Sequence, residues 1–241
     1  MVRRLPYNEM QEERGTEAMT VLVVLIMFAI FVSIDYLRHR GVEEAGRSVF
    51  VPEPEAAFRP EPVWVAGYQM PEDLHYHRGH TWVRPVGPDT AVVGLDDFAR
   101  RLLGSSDEAE LSAIGSWLQQ GAKAVRLGVE GRQVDLVTPV EGEVVQINGQ
   151  VADQPGLASA DPYGRGWLFM VRTPALRRNL ANLLSGSLAR RFMEDSRERL
   201  QHQLMALSGS VLADGGEPAT DFARHLPEEE WRRLVRDHLL S

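Results

Sequence analysis

The chain has 241 residues, of which 44% are hydrophobic and 25% are charged, so it can fold into one or two domains and is not a fully disordered protein. Its formal net charge of -8 argues against sequence-independent binding to nucleic acid, which needs clustered Lys and Arg side chains. Cysteine is absent, which excludes disulfides, thiolate metal sites and thiol catalysis. Lysine occurs once, as Lys123, so any reaction at a lysine amine has a single candidate.

An uncharged apolar segment predicts one transmembrane helix over residues 18–37. Residues 18–34 contain no charge, glycine or proline, and the full segment spans a hydrocarbon core of about 30 Å. A cleaved signal peptide and a buried soluble helix are the alternatives, and the glutamates in the flank 1–17 argue against the first. Arginines are balanced across the segment, but Arg38 and Arg40 lie next to it and favour a cytoplasmic C-terminal region.

A spacer and a β-rich domain are predicted after this anchor. The predicted linker covers residues 38–62, and within it residues 47–62 interleave four prolines with glutamates, which is typical of an extended, semi-rigid spacer. Residues 63–174 contain short apolar runs bounded by glycine and proline, which predict strands. Asp96 is predicted to cap a helix that carries Phe98, Leu102 and Leu103 on one face. The predicted strands cover residues 81–85, 90–95, 122–129, 134–137, 143–147 and 167–171.

Four sequence blocks within residues 76–169 carry a family resemblance. They read Tyr-His-Arg-Gly-His-Thr-Trp-Val-Arg from residue 76, Val-Gly-Leu-Asp-Asp-Phe-Ala from 93, Thr-Pro-Val-Glu-Gly-Glu-Val-Val from 138 and Asp-Pro-Tyr-Gly-Arg-Gly-Trp-Leu-Phe from 161. In order and spacing they resemble the H protein of the glycine cleavage system. The resemblance implies a mainly β fold, the barrel-sandwich hybrid of lipoyl and biotinyl carrier domains. The N-terminal transmembrane helix and a C-terminal helical extension complete the predicted architecture.

The resemblance also implies where a cofactor would be attached. In that family, the lysine of an E-S-x-K motif at a hairpin tip carries lipoate, and the lipoyl arm carries an aminomethyl group between enzymes. Counting back from Thr138 places this lysine at Gly131, which has no side chain. The guanidinium of neighbouring Arg132 stays protonated and is a poor acyl acceptor, so we expect no lipoate. We predict a tight two-residue turn at Gly131 and Arg132, with Lys123 as the alternative attachment site.

Other sequence patterns give little support for enzymatic activity. His75, His77 and His80 have a spacing that could bind zinc or another transition metal, with packed or surface histidines as the alternative. No nucleophile elbow, P-loop or dinucleotide-binding motif is present. We therefore predict a non-catalytic protein.

Helical periodicity replaces the strand pattern after Pro174. Residues 175–210 predict a long amphipathic helix, either continuous or interrupted near Gly186, that packs on its own chain or on a partner. Residues 211–241 predict a loop and a short helix that begins near Pro227. The apolar stripe of this last helix is a candidate partner-binding surface, with core packing as the alternative. The stripe consists of Trp231, Leu234, Val235 and Leu239.

Together these features predict a single-pass membrane protein that acts as a non-lipoylated accessory or scaffold subunit. Its expected partners are the lipid bilayer, through residues 18–37, and other subunits of a membrane-associated complex. The alternative is a carrier or regulator that docks to the glycine-cleavage enzymes.

Overall fold

The computed structural model describes residues 25–29, 33, 63–208 and 226–239. The strands are β1 Trp64–Val65, β2 Tyr68–Gln69, β3 His75–Tyr76, β4 Thr81–Pro85, β5 Thr90–Leu95, β6 Glu108–Leu111, β7 Trp117–Leu118, β8 Lys123–Val129, β9 Arg132–Val137, β10 Gly142–Ile147 and β11 Phe169–Arg172. The helices within residues 63–208 and 226–239 are α1 Asp97–Leu103, α2 Gly149–Asp153, α3 Leu157–Ala160, α4 Leu176–Ala181, α5 Gly186–Ser208 and α6 Glu228–Leu239.

The chain divides into two compact units, Met1–Glu53 and Pro54–Ser241. In the first unit, residues 25–29 and 33 are helical and exposed. The rest of the predicted transmembrane segment lies outside the described residues, as does the predicted linker 38–62. Within the described ranges, none of the helices is both long enough and apolar enough to cross a membrane.

The second unit is built mainly from antiparallel sheets, as the strand pattern predicts. One sheet has the strand order β3-β4-β5-β11-β10-β7, a second has the order β6-β8-β9, and β1 pairs with β2. Residues 81–85 and 90–95 form strands with the predicted bounds, whereas β9 begins at Arg132, two residues before the predicted start. The predictions missed β1, β2, β3, β6 and β7 because runs of two to four residues are too short to show alternation.

The core joins both sheets to α1. Its largest fully buried side chains include Trp82 from β4, Phe169 from β11, Leu127 from β8 and Phe98 from α1. A Cβ atom on Gly94 would lie 2.3 Å from the Trp82 ring, so only glycine allows the indole to pack against β5 at this point. The indole Nε1 donates hydrogen bonds to the carbonyl oxygens of Leu95 and Pro162, which satisfies the polar atom of a fully buried ring.

Helix α1 begins as predicted. The Asp96 side chain accepts a hydrogen bond from the Ala99 amide at 2.9 Å, which is the role of an N-cap residue. Phe98 and Leu102 are buried, as are Ala99 and Leu103. The prediction that Phe98 and Leu102 lie on one face of this helix is therefore confirmed.

The predicted long helix over residues 175–210 is two helices, α4 and α5. Between them, Leu184 exchanges backbone hydrogen bonds with Tyr76 of β3, and Gly186 adopts a φ of 53°. This pairing to the sheet edge ends one helix and starts the next, so the prediction of an interruption near Gly186 is correct. The buried residues Ala189, Met193 and Leu200 pack α5 on its own chain, which was one of the two predicted alternatives.

Candidate functional site

The candidate site is the tip of the β8–β9 hairpin, where the resemblance places the lipoyl-lysine position. The last strand pair is Val129 with Arg132, so the two central turn residues are Glu130 and Gly131. Their φ angles are 52° and 77°, and positive φ at both positions is the signature of a type I′ turn. The predicted turn at Gly131 and Arg132 is therefore wrong by one residue, because Arg132 already belongs to β9.

A side chain at Gly131 would have room. A Cβ atom built there meets no other atom within 4 Å, and the residue is exposed. The backbone of the tip is fixed from outside the hairpin, because the Glu130 amide donates to the Asp107 carboxylate at 3.0 Å. The tip thus presents a rigid, open backbone with no amine, and these residues do not fit covalent lipoate.

Arg132 does not replace the missing lysine, because its guanidinium faces the C-terminal helix α6. Its Nη2 donates to the Leu226 carbonyl oxygen at 3.0 Å, and its Nε lies 3.1 Å from a Glu228 carboxylate oxygen. The guanidinium carbon also lies 5.4 Å from the centroid of the Trp231 ring. The residue beside the tip therefore attaches α6 to the hairpin.

We expect the Arg132→Ala variant to weaken docking of α6 by about 1–3 kcal/mol. The hydrogen bond from a charged donor accounts for most of this, since the Arg132–Glu228 ion pair is partly exposed and contributes up to about 1 kcal/mol. Hydrogen exchange of the α6 amides measures the change as lost protection. Arg126→Ala is the matched control, because Arg126 pairs with Asp135 and Glu110 in the same sheet. Equal α6 protection in the two variants would contradict the prediction.

The alternative attachment residue, Lys123, lies at the other end of β8. Its Nζ is 2.7 Å from an Asp135 carboxylate oxygen, and its side chain is 62% exposed. Burial opposes the ionisation of Asp135, but hydrogen bonds from Lys123 and Arg126 outweigh this effect and lower the pKa of the carboxyl group. The Lys123 ammonium group is thus part of a surface ion-pair network. Lys123 lies six residues before Val129, the residue of β8 next to the turn.

The structure does not assemble the three predicted histidines into a metal site. His80 is fully buried, with Nδ1 2.8 Å from an Asp96 oxygen and its ring stacked on Phe98. His77 accepts a hydrogen bond from the Gly79 amide through its own Nδ1, and His75 is half-buried on β3. Among the residues that the structure describes, no three His, Cys, Asp or Glu side chains are placed to hold a metal ion.

The apolar stripe predicted as a partner surface packs inside this chain. Trp231, Leu234, Val235 and Leu239 are at most 3% exposed, so the helix that carries them uses this face for core packing. This corrects the partner-binding assignment and supports its alternative. The hydrophobic periodicity located the buried face of α6, but it carried no information on which chain covers that face.

Comparison with known proteins places this sequence in a family. The family model described as "Glycine cleavage H-protein" matches residues 74–196, which is half of the chain. The chain belongs to the glycine cleavage H-protein family. It is 36% identical over 116 residues to the glycine cleavage system H protein of Xylella fastidiosa strain Temecula1, which covers 48% of this chain and 88% of that protein.

Two further H proteins are similar to part of this chain. The glycine cleavage system H protein of Pseudoalteromonas atlantica is 39% identical over 104 residues, covering 43% of this chain and 80% of that protein. A crystal structure of the glycine cleavage system H protein from Mycobacterium marinum is 27% identical, with a TM-score of 0.41, and the match covers 44% of this chain and 87% of the other. The matched family region includes the hairpin and α4 but ends within α5, so α6 lies outside it.

Sequence reasoning missed several contacts at the tip and at the C-terminal helix. Leu226 contributes only a backbone carbonyl, and Asp107 contacts a backbone amide, so neither has a recognisable side-chain motif. Gln203 and His238 lie 35 residues apart and meet through one hydrogen bond. Single-residue contacts at such separations leave no periodic signal in one sequence.

Proposed function

We propose that this H-protein family member is a membrane-anchored, non-lipoylated subunit that binds other proteins and does not carry a lipoyl arm. The observation that carries the proposal is the open hairpin tip with Gly131 in place of an acyl acceptor and Arg132 engaged by α6. Attachment of lipoate forms an amide bond and so needs a nucleophilic amine, and this tip offers none. The proposed role is non-catalytic, as expected for a domain of a carrier family.

The proposed location follows from the sequence outside the described residues. The uncharged segment 18–37 serves as a single membrane anchor, and the proline-rich linker 38–62 separates it from the H-protein domain. The arginines that follow the anchor favour the cytoplasmic side for this domain. The partners we propose are the bilayer and the other subunits of a membrane-associated complex, with no nucleic acid.

Purification of the tagged full chain from native membranes in mild detergent tests this proposal. We expect membrane-complex subunits in fixed stoichiometry with the chain. A variant with Leu25→Arg and Phe28→Arg is the control, because each central charge costs about 2.5–3.5 kcal/mol of insertion free energy, so the variant should lose both the membrane fraction and the partners. Recovery of the unaltered chain in the soluble fraction without such subunits would refute the proposal.

The second candidate is a regulator or carrier of glycine cleavage, which the family membership favours. A non-lipoylated H domain that keeps the family surface can dock to the glycine-cleavage enzymes without transferring a group. The same purification separates the two candidates, because this role predicts that those enzymes are recovered with the chain.

A further inference from the structure

A buried histidine lies at the end of the C-terminal helix. His238 is 3% exposed, and its Nε2 lies 2.8 Å from the side-chain oxygen of Gln203. The nitrogen of the same amide donates to Asp237, which orients the amide oxygen towards the imidazole. His238 Nε2 is therefore the protonated nitrogen. Its Nδ1 is buried and has no hydrogen-bond partner in the described part of the chain.

His238 and a second buried histidine, His80, both pack against Phe98. The ring of Phe98 lies 5.2 Å from the His238 ring and 4.0 Å from the His80 ring, measured between centroids. His80 donates through Nδ1 to the Asp96 carboxylate, and its Nε2 is also buried without a described partner. Aromatic contacts thus hold the end of α6 against the domain. Two buried imidazole nitrogens, His238 Nδ1 and His80 Nε2, are left without a hydrogen-bond partner in the described part of the chain.

Within the residues that the structure describes, no hydrogen-bond acceptor meets the Nδ1 atom that an additional proton on His238 would occupy. The charged and titratable groups coupled to the cluster include His80 and Arg199, which act on His238, and His77, which is coupled to His80. Asp96 and Asp237 are joined to it through hydrogen bonds. Asp96 already accepts a hydrogen bond from His80, and Asp237 already accepts one from Gln203. Burial first, and then the charges of His80 and Arg199, lower the pKa of His238 from 6.5 to about 3. Arg199 and Asp237 also line a groove of about 690 Å³, together with the carboxylates of Asp195 and Glu198.

We propose that His238 is an acid-sensitive latch: α6 stays docked on β9 while this imidazole is neutral, and its protonation releases the helix and uncovers the strand face beside Gly131. The docked helix contacts β9 through Arg132 at one end, and at the other end its Leu239 carbonyl lies beside Gly79. Release therefore exposes the hairpin face and the Trp231 stripe together.

The direction of the pH dependence follows from linkage. The docked state has the lower pKa, so the contribution of neutral His238 to docking is complete above about pH 6.5 and is lost as the pH falls towards about 3. Over this range the opening constant rises about tenfold per pH unit. Between pH 7.5 and pH 5.0 we expect an increase of about 30-fold.

Thiol labelling measures this opening even when the released state is rare. The chain contains no cysteine of its own, so only the introduced cysteine is labelled. A Val235→Cys variant of the full chain in mild detergent is labelled with a methanethiosulfonate reagent, since Val235 is 3% exposed and reacts only after release. An Arg236→Cys variant, at an exposed neighbouring position, gives the intrinsic labelling rate at each pH. The ratio of the two rates reports the opening constant.

The expected result is a rate ratio that rises about 30-fold from pH 7.5 to pH 5.0 and stays constant when His238→Gln is added. Gln keeps a donor for the Gln203 oxygen but does not titrate. His202→Gln, at a 75% exposed histidine of α5, is the matched control and should preserve the rise. A Val92→Cys variant in β5 reports opening of the whole domain. A flat ratio in the unaltered background, a rise that persists with His238→Gln, or an equal rise at Val92→Cys would each overturn the latch.

Discussion

The Gly131→Lys variant is expected to accept one lipoyl group from a lipoate ligase supplied with lipoate and ATP, whereas the unaltered chain accepts none. The tip is open, since no atom lies within 4 Å of a Cβ at this position, so the new amine projects into solvent. Its cost is the left-handed φ of 77°, which is about 1–2 kcal/mol for a residue with a side chain. Intact mass after the reaction measures the modification.

Arg132→Lys is the matched control for this experiment. It also introduces a primary amine one residue from the tip, but at a position where the side chain faces Glu228 and Trp231. We expect no modification of this variant. Equal lipoylation of the two variants would show that the orientation of residue 132 does not matter. If the Gly131→Lys variant is not lipoylated, the tip has lost more than its lysine.

The Trp231→Ala variant is expected to weaken docking of α6 by about 3–5 kcal/mol, which is the usual cost of removing a fully buried large aromatic side chain. The indole is 3% exposed and lies against the Arg132 guanidinium, so the substitution removes both core packing and a cation-π contact. Hydrogen exchange should show loss of protection over residues 228–239 while the amides of β5 and β11 stay protected.

Trp117→Ala is the control of the same residue type. Trp117 is 55% exposed on β7, and substitutions at such surface positions usually change the free energy of unfolding by less than about 0.5 kcal/mol. If α6 protection survives Trp231→Ala as it survives Trp117→Ala, then the helix is not held by its apolar stripe. In that case the intrachain packing described above cannot be what stabilises docking.

Local chemistry made much of the domain predictable from the sequence. Asp96 was recognisable as a helix cap because the apolar residues after it recur at helical spacing, and Asp96 caps α1 in the structure. The strands of residues 81–85 and 90–95 were recognisable from apolar runs between glycine and proline. The resemblance to H proteins located the hairpin tip, which no local pattern identifies as functional.

Contacts between distant residues explain what could not be predicted. The turn contains Glu130 in place of Arg132 because β8 and β9 pair up to Val129 and Arg132, and the register shifts between Lys123 and Val125. Arg132 meets the Leu226 carbonyl 94 residues later in the chain. An amphipathic stripe predicts that a face is buried, but not what buries it, so the intrachain docking of α6 became visible only in three dimensions.

We expect this H-protein family member to carry no lipoyl group, which is measured by the intact mass of the full chain purified from its native cells. The predicted result is the mass of the unmodified polypeptide. A mass greater by one lipoyl group, mapped by peptide analysis to Lys123, would contradict the account, because it would show that the chain remains a carrier through its single lysine.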